Sequence, residues 1–217
     1  MIISQQKPLA ELLISLKEYN KIFLVGCGEC ATTCKSGGHP ELLKMQAELK
    51  AQGKIVTGFC IPSAPCVAAQ IKTELAKNML ALRDSEAILV LACGLGVQSV
   101  KDNNRLTQAT IPANNTIFGA VMDAQGNFYE KCSMCGECVL DITAGICPVT
   151  LCPKGLLNGP CGGVNKGKCE TDNEKDCAWV LIYKELEKNK KLESLKEIRL
   201  PRDYKKSGKP HKLLLNK

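Results

Sequence analysis

The sequence predicts an α/β protein: an N-terminal parallel sheet of the Rossmann or flavodoxin type, then a loop-rich, cysteine-dense segment and a C-terminal helix. Three observations predict it. Short apolar runs alternate with helical patterns through the first half, as in βαβ units. Cysteines follow three of these runs at 27, 60 and 93, a step of 33 residues each time, about the length of one βαβ unit. From Asn127 the texture changes, and residues 128–178 hold eight of the chain's 14 cysteines with no sustained period.

The elements follow in order. Pro8 suits the first turn of a short helix in which Leu9, Leu12, Leu13 and Leu16 share one face. Lys21–Val25 is a compact apolar run that stops at Gly26-Cys27-Gly28. A second run, Lys54–Phe59, stops at Cys60, and a third, Ala87–Ala92, at Cys93-Gly94. A fourth, Asn115–Val121, closes the first half. Helical patterns occupy Pro40–Gln52 and Val67–Leu82 between them. After the cysteine-dense stretch, Asp176–Asn189 reads as an amphipathic helix with Trp179, Val180, Ile182, Tyr183 and Leu186 on its packed side. The expected division is an α/β domain over 1–125, a cysteine-rich domain with its closing helix over 126–190, and a basic tail over 191–217.

Composition narrows the function classes. The chain has 217 residues, 45% hydrophobic, which suffices for one medium or two small domains. Aromatics make up 4%, too few for base-stacking platforms, so no nucleic-acid partner is expected. The formal charge is +7. Residues 199–217 carry seven Lys/Arg and one Asp, a net +6, so the excess sits in a tail read as a solvated end or a docking segment. The N-terminus lacks a signal-peptide pattern, and no apolar stretch approaches the roughly 18 residues that span a bilayer. A cytoplasmic protein without membrane insertion is the expectation. In that reducing compartment closely spaced cysteines bind metal more readily than they form disulfides.

The first ligand set is Cys27, Cys30 and Cys34, a C-x2-C-x3-C at the carboxyl end of a strand, where doubly wound folds place their binding crevice. A nucleotide-binding chain would carry a glycine fingerprint there, and none is present. Strand topology offers Cys93 as fourth ligand, then Cys60, then Cys66. The second set is Cys132, Cys135 and Cys138, a C-x2-C-x2-C followed by Cys147-Pro148, which is the ligand grammar of bacterial-type ferredoxins. Eight residues separate Cys138 from Cys147 where ferredoxins have three, leaving the fourth ligand open among Cys147, Cys152 and later cysteines. Cys152, Cys161, Cys169 and Cys177 complete the eight, enough for two sets of four. Zinc is the alternative at one four-cysteine site, although zinc ribbons favour two separated C-x2-C pairs. The two histidines, His39 and His211, leave no basis for a catalytic triad or a histidine-rich metal site.

The motifs VGCGEC (25–30), LACGLGVQ (91–98), CSMCGEC (132–138), CPKGLLNGPCGGVNKGKCE (152–170) and DCAW (176–179) resemble the MetV family, the small iron–sulfur subunits of bacterial methylenetetrahydrofolate reductases, related to that enzyme's C-terminal domain family. The resemblance spans about residues 20–185, with NGPCGG and GKCE its most specific part. It implies two or three 4Fe–4S clusters on Cys27, Cys30, Cys34, Cys60, Cys93 and the eight cysteines from Cys132 to Cys177. It implies a partner, the flavoprotein MetF, and in some complexes an NADH-oxidising or ferredoxin-linked subunit. The expected role is non-catalytic: electron transfer to or from the MetF flavin as methylene- becomes methyl-tetrahydrofolate in the acetogenic methyl branch. The alternative is a structural or regulatory subunit whose metals hold a docking surface.

Overall fold

The structure is a computed structural model that describes residues 1–214; the last three residues of the basic tail lie outside it. The chain divides into two compact units, residues 1–118 and 119–217.

The first unit opens with β1 (Ile2–Gln6), α1 (Leu9–Ser15) and β2 (Lys21–Val25). There follow α2 (Cys30–Thr33), α3 (His39–Ala51), β3 (Ile55–Cys60), α4 (Ala68–Lys77), α5 (Met79–Arg83) and β4 (Ala87–Val90). α6 (Gly94–Asn103), β5 (Ala109–Pro112) and β6 (Asn114–Met122) complete it, β6 running across the unit boundary. Four strands form the parallel sheet in the order β3-β2-β4-β5. Numbered within the sheet this is 2-1-3-4, so the strand order reverses between the first and third strands, the switch point of such sheets.

Alternate residues of the central strands face opposite sides. Ile22 and Leu24 pack with Leu12 and Leu16 and with Leu42, Met45 and Leu49 of α3. Phe23 and Val25 pack with Ile71, Leu75, Leu82 and Val100 from the helices of the other face. Both layers are closed, and Phe23, Ile22, Leu24, Ile88 and Leu89 are fully buried. The expected parallel sheet is therefore present, built on two apolar faces.

Three elements differ from expectation. The run 115–121 is a strand but does not join the parallel sheet; β6 belongs to a separate three-stranded sheet, ordered β1-β6-β7. The fourth parallel strand is instead β5, paired with β4 from Ala87↔Ala109 to Val90↔Pro112. β5 can end in proline because it is an edge strand, where one face of the ladder needs no donor. The pattern 67–82 is two helices, since α4 stops at Asn78, whose side-chain amide donates to the Glu74 carbonyl (2.9 Å).

The second unit contains β7 (Phe128–Glu130), antiparallel to β6, then α7 (Pro148–Leu151), the hairpin β8 (Lys168–Cys169) and β9 (Asp172–Asp176), and α8 (Ala178–Lys188). Its buried cluster centres on Trp179, Ile182 and Leu186 of α8, against which Ile146, Cys152, Leu156 and Cys177 pack. The Trp179 indole donates to the Leu156 carbonyl (3.0 Å), tying the helix to the cysteine-bearing loops. No helix among the described residues is long and apolar enough to cross a membrane.

Candidate metal centres

The parallel sheet carries Cys27, Cys60 and Cys93 to one edge. Val25 pairs with both Cys60 and Val90, so all three cysteines lie at or just beyond the carboxyl ends of adjacent strands. Cys30 opens α2, Cys34 caps its end, and Cys93 caps the start of α6. The turn after α2 returns between the strand ends: Cys27 N–H donates to the Gly37 carbonyl (2.9 Å). A Cβ on Gly37 would lie 1.8 Å from the Leu91 carbonyl oxygen, so only glycine lets this turn approach so closely.

Burial pushes the Cys27 thiol up; hydrogen bonds with the backbone at Ala31 and Glu29 oppose this, and the nearby Cys30 and Cys93 add to the rise. Cys60 belongs to the same apolar cluster as the buried Cys27 and is sealed the more deeply of the two. It is 4% exposed among Phe23, Ile71 and Leu75, and burial pushes its thiol up to about 12. Cys66 is exposed. A feature absent from the sequence reading is β1, which brings Ile2 against the triplet. The Ile2 amide donates to Cys30 Sγ (3.5 Å), and Cys34 Sγ donates to the Ile2 carbonyl (3.8 Å). His39 starts α3 and meets Phe59 edge-on, with ring centroids 5.8 Å apart.

In the second unit the cysteines sort into two groups. Cys132, Cys135, Cys138 and Cys147 line one cavity. Cys152, Cys161, Cys169 and Cys177 line another. The first loop winds tightly because Met134 and Gly136 both take positive φ, 53° and 78°. Such a conformation is uncommon for methionine. The Met134 amide donates to Cys132 Sγ (3.4 Å). Cys147 and Cys177 each precede a helix, α7 and α8, as the N-cap residue. Around the second group, Lys154 pairs with Glu170, and Cys169 Sγ lies 3.2 Å from Thr171 Oγ1. The Thr171 hydroxyl is the main reason the Cys169 thiol falls below its ordinary value.

Burial raises the Cys135 thiol, but the Glu137 backbone and the Arg202 guanidinium outweigh it and hold the thiol below its ordinary value. Arg202 comes from the basic tail, so the reading of that tail as a solvated end requires correction. Residues 199–206 fold back onto the second unit's own loops, where Arg202 Nη2 donates to the Cys135 carbonyl (3.2 Å).

Among the described residues, no three or more Cys, His, Asp or Glu side chains converge closely enough to clasp a single metal ion. The thiols instead surround cavities. Each cavity is lined by four cysteines, the donor type a thiolate-bound group needs, and Arg202 is fastened to the Cys135 carbonyl of the first loop.

Fold and site together define a cysteine-rich α/β protein whose second unit is organised around thiols. Residues 111–205 match the family described as methylene-tetrahydrofolate reductase C terminal. That span is similar to the C-terminal domain of methylenetetrahydrofolate reductases, and it contains all eight cysteines from Cys132 to Cys177. It also reaches Arg202, beyond the 185 at which the motif resemblance ended, while the motifs at 25–34 and 91–98 lie outside it. A comparison with curated proteins found no match.

Proposed function

We propose that this chain is the iron–sulfur subunit of a methylenetetrahydrofolate reductase and exchanges electrons with the flavin of a MetF-type partner. The observation that carries the reading is the pair of cavities, each lined by four cysteines, inside the span matched to that enzyme's C-terminal family. The cavity of Cys132, Cys135, Cys138 and Cys147, about 210 Å³, leaves room for a polynuclear cluster, which is wider than one tetrahedral ion with thiolates about 2.3 Å away; the cavity of the other four, about 20 Å³, would have to open to take one. When bound, a cluster supplies one-electron transfer at a potential set by ligation, hydrogen bonds and burial.

The chain's own residues would do the rest. Cys132, Cys135, Cys138 and Cys147 hold one cluster, and Cys152, Cys161, Cys169 and Cys177 a second. The sheet edge offers a third site on Cys27, Cys30, Cys34 and Cys93. Cys93 is preferred over Cys60 because it stands at a helix start near Cys27, whereas Cys60 is packed into the apolar core. The Ile2 amide would steady the Cys30 thiolate, as hydrogen bonds to ligating sulfurs commonly do. An NADH-oxidising or ferredoxin-linked subunit would be the electron source, and the chain would work in the cytoplasm.

Anaerobic purification with iron, sulfide and zinc analysis tests this. About eight to twelve iron atoms per chain are expected, two or three clusters' worth. Iron near zero with stoichiometric zinc would overturn it in favour of a structural subunit. Cys135→Ser should then stop flavin reduction in the assembled complex; unchanged reduction would remove that cluster from the path.

A further inference from the structure

The basic tail is the feature that the electron-transfer reading leaves unused. Its first part is fastened at two points of the second unit. Upstream, the Arg199 amide donates to Asn158 Oδ1 (2.8 Å), and Asn158 Nδ2 returns a bond to the Arg199 carbonyl (3.3 Å). Downstream, Glu137 within the C-x2-C-x2-C loop accepts from the Asp203 amide (3.1 Å) and from Lys206 Nζ (3.1 Å). The fit is close: a Cβ on Gly136 would stand 2.4 Å from the Lys206 carbonyl oxygen. Gly136 therefore serves twice, for its left-handed turn and for the seat of the tail.

Arg202 sits between those fastenings. One guanidinium nitrogen holds the Cys135 carbonyl and the guanidinium lies 6.0 Å from the Tyr204 ring centroid, while Nε is buried with no hydrogen-bond partner. A buried N–H without an acceptor is costly and uncommon, so it points to an acceptor that completes the site. Arginine stays charged at every working pH. A fixed cation beside a thiolate site favours the more negative of two states, and one-electron reduction adds one negative charge there.

The geometry points to Arg202 as a positioning residue that straps the tail onto the Cys135 loop and fixes a positive charge beside Cys135, raising the reduction potential of the group held by Cys132, Cys135, Cys138 and Cys147. This inference rests on the reading that these four cysteines hold an iron–sulfur cluster. It assigns residues 199–206 to that site and not to a free end.

The test uses the full chain, loaded anaerobically, with electrons supplied by dithionite through mediator dyes. Two quantities are read: iron and sulfide per chain, and the midpoint potential followed by electron paramagnetic resonance. The signal of this site is the one lost in Cys135→Ser. Arg202→Gln should keep its iron and shift the reduction equilibrium about tenfold toward the oxidised form, about 59 mV for one electron. Lys212→Gln, which removes one charge further along the tail, should leave the midpoint in place.

An unchanged midpoint in iron-replete Arg202→Gln overturns the assignment, as does an equal shift in Lys212→Gln. Should Arg202→Gln lose iron, Arg202→Lys decides. Iron kept with a midpoint near that of the wild type upholds the assignment, because the charge remains, whereas iron kept with a midpoint about 59 mV lower overturns it. Iron lost from both variants overturns it in favour of a purely structural brace. A wild-type chain without iron sinks the cluster reading itself, a different failure from an iron-replete variant with an unmoved midpoint.

Discussion

The two units hold their cysteines by opposite means. In the first, β2 and β4 are buried on both faces, and the cysteines are additions at the strand ends. In the second, the buried cluster is three residues of α8 with partly buried neighbours, two of them cysteines. One unit is folded by apolar burial and carries a site. The other, among its described residues, has a small apolar core, so the metal proposed for its cysteines would contribute to its folding, as in small metal-bound domains. A cysteine thus means different things in the two places, and Cys60, sealed in a core, is the limiting case.

The largest expected effect separates the units by removing the metal proposed for the second. Structural metal sites in small domains supply on the order of 10 kcal/mol. Chelation should expose 128–177 to amide exchange and proteolysis while 21–90 stays protected. Equal loss of protection in both units would break the contrast.

Core truncation should do the reverse. Phe23 is fully buried, and Phe23→Ala should cost about 3–5 kcal/mol, read as a lower midpoint of the first unit's denaturant unfolding. Iron bound by the second unit should be unchanged; its parallel loss would show that the second unit depends on the first for its fold.

Cys60 gives the smallest and sharpest test. Its thiol is pushed up to about 12 from an ordinary 9.0, so the unfolded chain releases this proton first as pH rises. Its contribution is complete below pH 9 and is lost between about 9 and 12. Cys60→Ala should flatten that part of the stability curve and keep the iron of the sheet-edge site. Loss of that iron would return Cys60 to the ligand set in place of Cys93.

Much of this was legible along the chain because local physics writes it there. Alternating apolar runs and helical patterns announced the parallel sheet, and the 33-residue step placed Cys27, Cys60 and Cys93 at its carboxyl edge. β1 was not legible, since Ile2–Gln6 is half polar and has no pattern of its own. β6 was legible as a strand but not as a member of another sheet, because extended conformation is local whereas partner choice is not. β5 escaped notice because it is four residues long and ends in Pro112.

The sequence by itself determined the fold class, the thiol inventory and the triplet spacings, all of which depend on residue type and separation. Only the tertiary structure decided which thiols stand together. It joined Cys147 to Cys132, Cys135 and Cys138 across an eight-residue gap, gathered the other four around a second cavity, and brought Arg202 back to Cys135. The physical reason is that such groupings are made by loops whose course follows from αL turns, caps and a single tryptophan anchor. Those leave no period in the chain to read.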